Sequence, residues 1–454
     1  MLKFFSPLGL LLLFPLSSFA AYYFVTDPGG GDHSGTAAWN PWSTAEFNAS
    51  TLPTGGDTVF FTGDFFSTVV PGTDGTDNDA GRLVLDMTGA TLNVTPTRLQ
   101  LNGRAYLTIL GGTLGTAYDG LLIAFNPNAG AVSHDITIDG FNYVGIANGI
   151  ATFLSLNHVY NLILSNCSAE NIAMLVYGDS VLNHDLLITG CYGATGSDVT
   201  VQNDVIHIGD AANVTIEKCK LINRAPGDPV VRHNDVIQTY LKDGPDAGYP
   251  TNWVVRYNWI EMQQTSGSGD NSWMIMQSMA GDPALKIYGN VFIGSGTVGS
   301  NGILVSQNFG GGYYLYNNTF IRHYAPDNTV RFLSPGILYA ENNVGEGDLA
   351  FGTFVQWTMQ TGVAYAPAGW DYNYFYVAAS VDLNDAGPHG SISSDPLFTD
   401  YAGNDFSLTL SSPLRVSGDT SIGDEYSLGI VPGSTWPNPT LVPRYNWSIG
   451  AFAY

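Results

Sequence analysis

Leu162-Ile163-Leu164-Ser165-Asn166-Cys167, Leu186-Leu187-Ile188-Thr189-Gly190-Cys191 and Val214-Thr215-Ile216-Glu217-Lys218-Cys219 share one pattern: a short apolar run, a polar or glycine residue, then cysteine. The pattern continues in both directions. ITIDGF ends at Phe141, WVVRYN at Asn258, LKIYGN at Asn290, YYLYNN at Asn318, and a last string ends near Asn343. Successive ends lie 26, 24, 28, 39, 32, 28 and 25 residues apart. A period in the twenties, built from short β-branched strings with Gly, Asn or Asp at the corners, is that of a solenoid whose coils pair edge to edge. Residues in one column then lie about 4.8 Å apart. Within VTIEKC, alternation places Val214, Ile216 and Lys218 on one face and Thr215, Glu217 and Cys219 on the other, unless a bend shifts the last.

Cys167, Cys191 and Cys219 are the only cysteines, and their column runs on as Asn258, Asn290 and Asn318. A stack of small buried residues followed by an asparagine ladder explains both sets, with amide side chains bonding between coils. Stacked strands seldom offer disulfide geometry, so these are expected to be free structural thiols. Their spacing matches no compact zinc-ligand set.

Composition limits the function classes. The 454 residues are 44% hydrophobic and 12% charged, enough for one large core or two ordinary ones. The net charge of −24 sets aside a nucleic-acid partner and disfavours anionic membrane surfaces. Lys3, the apolar run 8–16 and Ser18-Phe19-Ala20 have the order of a secretory signal, giving the expectation of export with cleavage after Ala20. That run is shorter than the roughly 20 residues a spanning helix needs. The mature protein is expected to be a secreted monomer, periplasmic or extracellular.

Other segments resemble the right-handed parallel β-helix proteins of the pectate-lyase-like superfamily. The opening carries the resemblance in residues 22–28, Gly29-Gly30-Gly31-Asp32, residues 42–51 and Gly55-Gly56-Asp57-Thr58-Val59. The end carries it in Ser394-Asp395-Pro396-Leu397-Phe398, Asp405-Phe406-Ser407-Leu408, Ser412-Pro413 and Ile449-Gly450-Ala451-Phe452. The resemblance implies an all-β, single-stranded right-handed parallel β-helix with an N-terminal capping helix. The expected divisions are a signal peptide over 1–20, a cap and first coil over 21–80, coils over 81–390 and a closing segment over 391–454. Such motifs identify architecture better than activity.

The longest interval, from Cys219 to Asn258, marks an insertion, and insertions in solenoids usually build the binding face. Two strings frame it: Gln202-Asn203-Asp204-Val205-Ile206-His207 and His233-Asn234-Asp235-Val236-Ile237-Gln238. Stacked, they place Asp204 beside Asp235 and His207 beside Gln238. The two aspartates have two readings: a reactive or metal-binding pair, or corner devices bonding backbone at a bend.

Three functions fit. In β-elimination from a uronic-acid polymer, a base removes the proton α to the carboxylate while a cation steadies the developing charge. His233, Tyr240 and Lys242 are candidate bases, and Asp204 with Asp235 are candidate Ca²⁺ ligands. Asp235 and Asp204 also belong to the candidate catalytic set. His207, Gln238, Arg232, Arg224, Trp273 and Gln277 are candidate substrate-binding residues. Arg256 is assigned instead to a surface ion pair with Glu217. The second function is glycoside hydrolysis by Asp204 and Asp235. Their strand-start placement resembles polygalacturonase-type hydrolases, but the Gly-His-Gly and Arg-Ile-Lys strings of that group are missing. The third is a non-catalytic carbohydrate-binding or cell-surface β-helix, with Trp253, Trp259, Trp273 and Tyr240 stacking on sugar rings. The preferred expectation is a polysaccharide lyase acting on an acidic glycan.

Overall fold

The computed structural model describes residues 20–29, 32–76, 81–93, 98–116, 120–125, 132–146, 149–180, 182–197, 204–224, 234–241, 249–263, 272–294, 301–306, 311–322, 328–332, 337–347, 355–357, 369–377, 387–391, 395–445 and 447–454. Residues 1–19, with most of the expected signal, lie outside this set.

The coils build three parallel strand ladders, here called sheets A, B and C. Sheet A includes Val159–Ser165, His184–Thr189, Ala212–Glu217, Thr251–Arg256, Ala280–Tyr288 and Gly312–Tyr316. Sheet B includes Ser168–Ile172, Tyr192–Thr195, Lys220–Asn223, Trp259–Met262, Val291–Gly294 and Thr319–Arg322. Sheet C is a ten-stranded parallel sheet that includes Met174–Asp179, Ile206–Gly209, Ile237–Tyr240, Met274–Gln277 and Asn301–Ser306. The chain visits C, A and B in turn. This is an all-β parallel β-helix, the architecture expected of a pectate-lyase-like chain.

The repeated strings are the sheet A strands, and their inward residues form continuous columns. Ile188, Ile216, Val255, Ile287 and Leu315 are successive register partners, and all are buried. At roughly 25 cal/mol per Å² of apolar surface removed from water, such columns supply the main stabilisation. Polar corners interrupt them where the chain turns from sheet A to sheet B. Asn166, Gly190, Lys218, Tyr257, Gly289 and Asn317 adopt positive φ there, between 52° and 65°. The bend resets the alternation. Lys218, expected to share a face with Val214 and Ile216, is rotated out of phase, and the following Cys219 becomes fully buried.

That inward corner position carries the column expected from the sequence. Cys167, Cys191 and Cys219 are buried free thiols, and burial pushes the Cys167 and Cys191 thiols well above their usual range. The asparagines then bond in series. Asn258 Nδ2 donates to Asn290 Oδ1 at 3.0 Å, Asn290 to Asn318 at 3.1 Å, Asn318 to Asn343 at 3.1 Å and Asn343 to Asn373 at 2.9 Å. Each also donates to a main-chain carbonyl, as Asn258 does to Ile216 O at 2.9 Å. Buried amides are thereby satisfied without water.

The ends differ from the coils. Among the described residues the one α-helix is Thr44–Ala49, six residues long and started by a Ser43–Glu46 capping box. Its Phe47 meets Phe61 edge-on at 5.1 Å. The closing segment folds into two antiparallel pairs, Phe398–Asp400 with Asp405–Leu408 and Leu428–Ile430 with Leu441–Pro443. Its residues Tyr426, Ile430 and Phe452 share a cluster with Tyr257, Tyr288 and Tyr316 of the coils. Arg444 lies beneath it, 4% exposed, donating to the carbonyls of Leu428, Ser448, Gly450, Ala451 and Phe452. Burial lowers its pKa to about 10. Arg256 pairs with Glu217 at 2.6 Å on the outer face of sheet A, as the strand alignment required. No helix among the described residues is long and apolar enough to cross a membrane.

Candidate functional site

The outer face of sheet C gathers the polar residues that the doubled NDVI strings announced. Its strands alternate strictly. Ile206, Ile208, Ile237 and Met276 point into the core, so their neighbours form two outward rows. One row is Tyr177, His207, Gln238 and Ile275. The second is Asp179, Gly209, Tyr240 and Gln277. His207 beside Gln238 was expected from the strings; Tyr177 and Asp179 were not. The signal for them lies one coil earlier, in Val176-Tyr177-Gly178-Asp179, which aligns with Ile206-His207-Ile208-Gly209.

Two carboxylates organise this face. Tyr177 donates to Asp179 Oδ2 at 3.0 Å, and Tyr240 donates to Asp179 Oδ1 at 2.8 Å. The Tyr240 bond crosses a whole coil. It is allowed because residue 209 is glycine: a Cβ there would lie 2.9 Å from the Tyr240 ring. Desolvation, then the hydrogen bond to Asp179, raises the Tyr240 pKa strongly, so the phenol stays neutral. Tyr240 is therefore a poor general base, contrary to its place among the candidate bases.

The second carboxylate is Asp204, fully buried beneath the strand. Its Oδ2 bonds His207 Nδ1, and its Oδ1 accepts the backbone N–H of Asp235 at 2.7 Å. His207 lies between two phenol rings, with centroids 5.7 Å from Tyr177 and 4.7 Å from Tyr240. With Nδ1 engaged by the carboxylate, Nε2 faces the other way and has no hydrogen bond among the described residues. The imidazole side chain is 11% exposed. A carboxylate on one ring nitrogen fixes tautomer and orientation and leaves the other nitrogen basic.

Asp235 engages backbone with one carboxylate oxygen. Its Oδ1 accepts the N–H of Ser272 at 2.6 Å, repeating one coil later the bond Asp204 makes to Asp235. Its carbonyl accepts from Asn223 Nδ2 at 2.8 Å. The corner-device reading holds for both aspartates, and Asp204 adds the histidine contact. Neither presents a free pair of oxygens, and the described residues contain no group of three or more His, Cys, Asp or Glu placed to hold a metal ion.

The remaining candidates separate. Trp273 is a core residue, 2% exposed, stacked near Phe292 and Phe320 and donating to Ile293 O at 2.9 Å. Its indole is too apolar to leave the interior once that N–H has a partner. Trp253 is buried likewise. Arg224 belongs to a different face: at the end of a sheet B strand it pairs with Glu170 and bonds the Tyr192 hydroxyl at 3.2 Å. Gln238 and Gln277 do lie on the sheet C face. Arg232, His233 and Lys242 lie outside the described residues, as does Gln202.

No family model matches the chain, and no curated protein matches it. Among solved structures, it is similar to pectate lyase Pel9A, with 14% identity, 96% of this chain and 97% of that chain covered, and a TM-score of 0.42. It is also similar to the GH136 lacto-N-biosidase from Eubacterium ramulus, with 11% identity, coverage of 79% and 68%, and a TM-score of 0.41. At identities and scores this low neither likeness carries an argument about activity, and the fold rests on the strand ladders themselves.

Proposed function

We propose that the protein is a secreted carbohydrate-active enzyme whose catalytic centre is the outer face of sheet C, and that it cleaves an acidic polysaccharide by β-elimination. The observation that carries this reading is the Asp204–His207 dyad, which leaves Nε2 as an unengaged base among the described groups on the outer face of sheet C. The face suits an extended polymer because its rows continue from coil to coil.

In the proposed reaction, His207 Nε2 takes the proton α to the uronate carboxylate, and the buried Asp204 steadies the imidazolium that forms. The electron pair of the broken C–H bond forms the double bond as the C–O bond to the leaving sugar breaks, giving an unsaturated uronate at the new non-reducing end, and the leaving oxygen takes a proton from solvent water. Tyr177 and Tyr240, held by Asp179, position the sugar; Gln238 and Gln277 supply hydrogen bonds along the rows. Arg232, His233 and Lys242 adjoin in sequence the strand Ile237–Tyr240 and supply the proposed countercharge for the substrate carboxylate.

Elimination is favoured over hydrolysis because a hydrolase needs one carboxyl free to protonate the glycosidic oxygen and a second to act opposite it. Among the described residues of this face, Asp179 and Asp204 have both oxygens engaged, and Asp235 has one oxygen on the Ser272 N–H. The test is incubation of the purified protein with pectic, alginate-like, ulvan-like and sulfated glycans, following the unsaturated-uronate absorbance together with reducing ends. Both signals rising in parallel is the expected result. Reducing ends without absorbance would replace elimination with hydrolysis, and neither signal with any glycan would remove catalysis from the reading.

A further inference from the structure

On the outer face of sheet B, one corner of the coil away from the proposed catalytic face, the closing segment stands off the coils and leaves a cleft of about 590 Å³. Its floor is formed by the strands Lys220–Asn223 and Trp259–Met262, and its far wall includes Asp405 and Trp436 of the closing segment. The volume falls within the roughly 300–1,000 Å³ typical of small-ligand sites.

The polar groups in this cleft are already held in place. Trp259 Nε1 donates to Glu261 Oε2 at 2.9 Å, Gln263 Nε2 to Glu261 Oε1 at 2.6 Å, and Arg224 Nε to Gln263 Oε1 at 3.3 Å. Arg224 also pairs with Glu170. Lys220 differs from these: its ammonium lies 5.5 Å from the Trp259 ring centroid, and no carboxylate lies within ion-pair distance of it among the described residues. Trp436 is half-buried, its ring tilted at 57° to that of Trp259 with centroids 6.0 Å apart, which leaves part of the indole facing the cleft.

Donors and acceptors are therefore interleaved beside aromatic surface. The charges do not favour an anion: among the lining residues Lys220 and Arg224 are balanced by Glu261 and Asp405, and Arg224 is also paired with Glu170 beside the cleft. A hydroxyl-rich neutral ligand suits this set, since each hydroxyl both donates and accepts while C–H faces lie against indole. From this geometry we infer that the cleft is a binding site for a neutral sugar, separate from the proposed catalytic face. A polymer with both acidic and neutral units would then be gripped at two faces, which raises effective concentration without new chemistry.

The test is calorimetric titration of the full chain with neutral β-1,4-linked tetrasaccharides of galactose, mannose, xylose and glucose, and with tetragalacturonate as the anionic reference. At least one neutral tetrasaccharide is expected to bind the wild type and His207→Ala alike. Trp436→Ala and Lys220→Met are each expected to weaken it at least tenfold, with thermal midpoints within about 2 °C of wild type, while leaving any tetragalacturonate affinity unchanged. No saturation by any neutral tetrasaccharide at millimolar concentration overturns the assignment. So does binding that survives both cleft variants, or binding that His207→Ala abolishes.

Discussion

Replacing Asn290 by alanine tests the asparagine ladder at its centre. The Asn290 side chain takes part in five hydrogen bonds: it accepts from Asn258 N and Nδ2, and donates to the carbonyls of Val255 and Tyr288 and to Asn318 Oδ1. All of them are buried. Alanine leaves Asn318 Oδ1 still bonded by the Asn290 backbone N–H at 3.1 Å. It strands the Asn258 N–H and one proton of the Asn258 amide. At about 1–3 kcal/mol for each unsatisfied buried group, with some relaxation, the expected loss is about 3–5 kcal/mol. Cys191→Ala is the matched comparison. Its thiol makes only long contacts, at 3.4 Å and 3.6 Å to carbonyl oxygens, so the loss is chiefly packing, about 1–2 kcal/mol. Equilibrium urea unfolding followed by far-ultraviolet circular dichroism gives midpoint and slope for both variants, and hydrogen exchange shows whether the loss is centred on the coils flanking residue 290. A cost for Asn290→Ala no greater than that for Cys191→Ala would refute the reasoning.

Further consequences can be measured in the same way. Arg444→Met removes the donors that hold five carbonyls of the closing segment, so a loss of at least about 3 kcal/mol is expected by the same urea measurement, with early exposure of residues 398–454 in hydrogen exchange. Glu341, at the end of a sheet A strand, has its carboxyl pushed up to about 7 by burial, by a shared proton with Asp419 of the closing segment, and by the nearby Asp371. Its folded pKa is above the unfolded one, so the folded state holds a proton that the unfolded chain releases. This contribution to stability is full below about pH 4.5 and is lost as pH rises through 7. Between pH 5 and 8 it should amount to roughly 1–2 kcal/mol after solvent screening, and Glu341→Gln should flatten that part of the profile.

The strings ending in Cys and Asn revealed the coils because one buried corner position imposes small or amide side chains on every turn. That constraint is local and repeats, so it is visible without a structure. The bend at Lys218 was not legible in the same way, since a lysine gives no sign of a left-handed φ of 57°. The site was half legible. His207 beside Gln238 followed from the duplicated NDVI string, whereas the same string left two readings of Asp204 and Asp235, and one oxygen of each bonds a backbone N–H, of Asp235 and of Ser272. Asp179 was invisible because its role depends on Tyr240 reaching over Gly209, a contact between residues 61 apart. Trp273 misled because aromatic identity alone does not say which side of a strand faces the core.

The proposed elimination depends on His207 as the base on the outer face of sheet C. The most direct measurement is the initial rate of unsaturated-uronate formation by His207→Ala against wild type, on the glycan that wild type cleaves fastest, with thermal midpoints taken in parallel. A fall of about 10²–10⁴ with a midpoint within about 3 °C of wild type is predicted. A folded His207→Ala enzyme that keeps the wild-type rate would contradict the claim and move the base elsewhere.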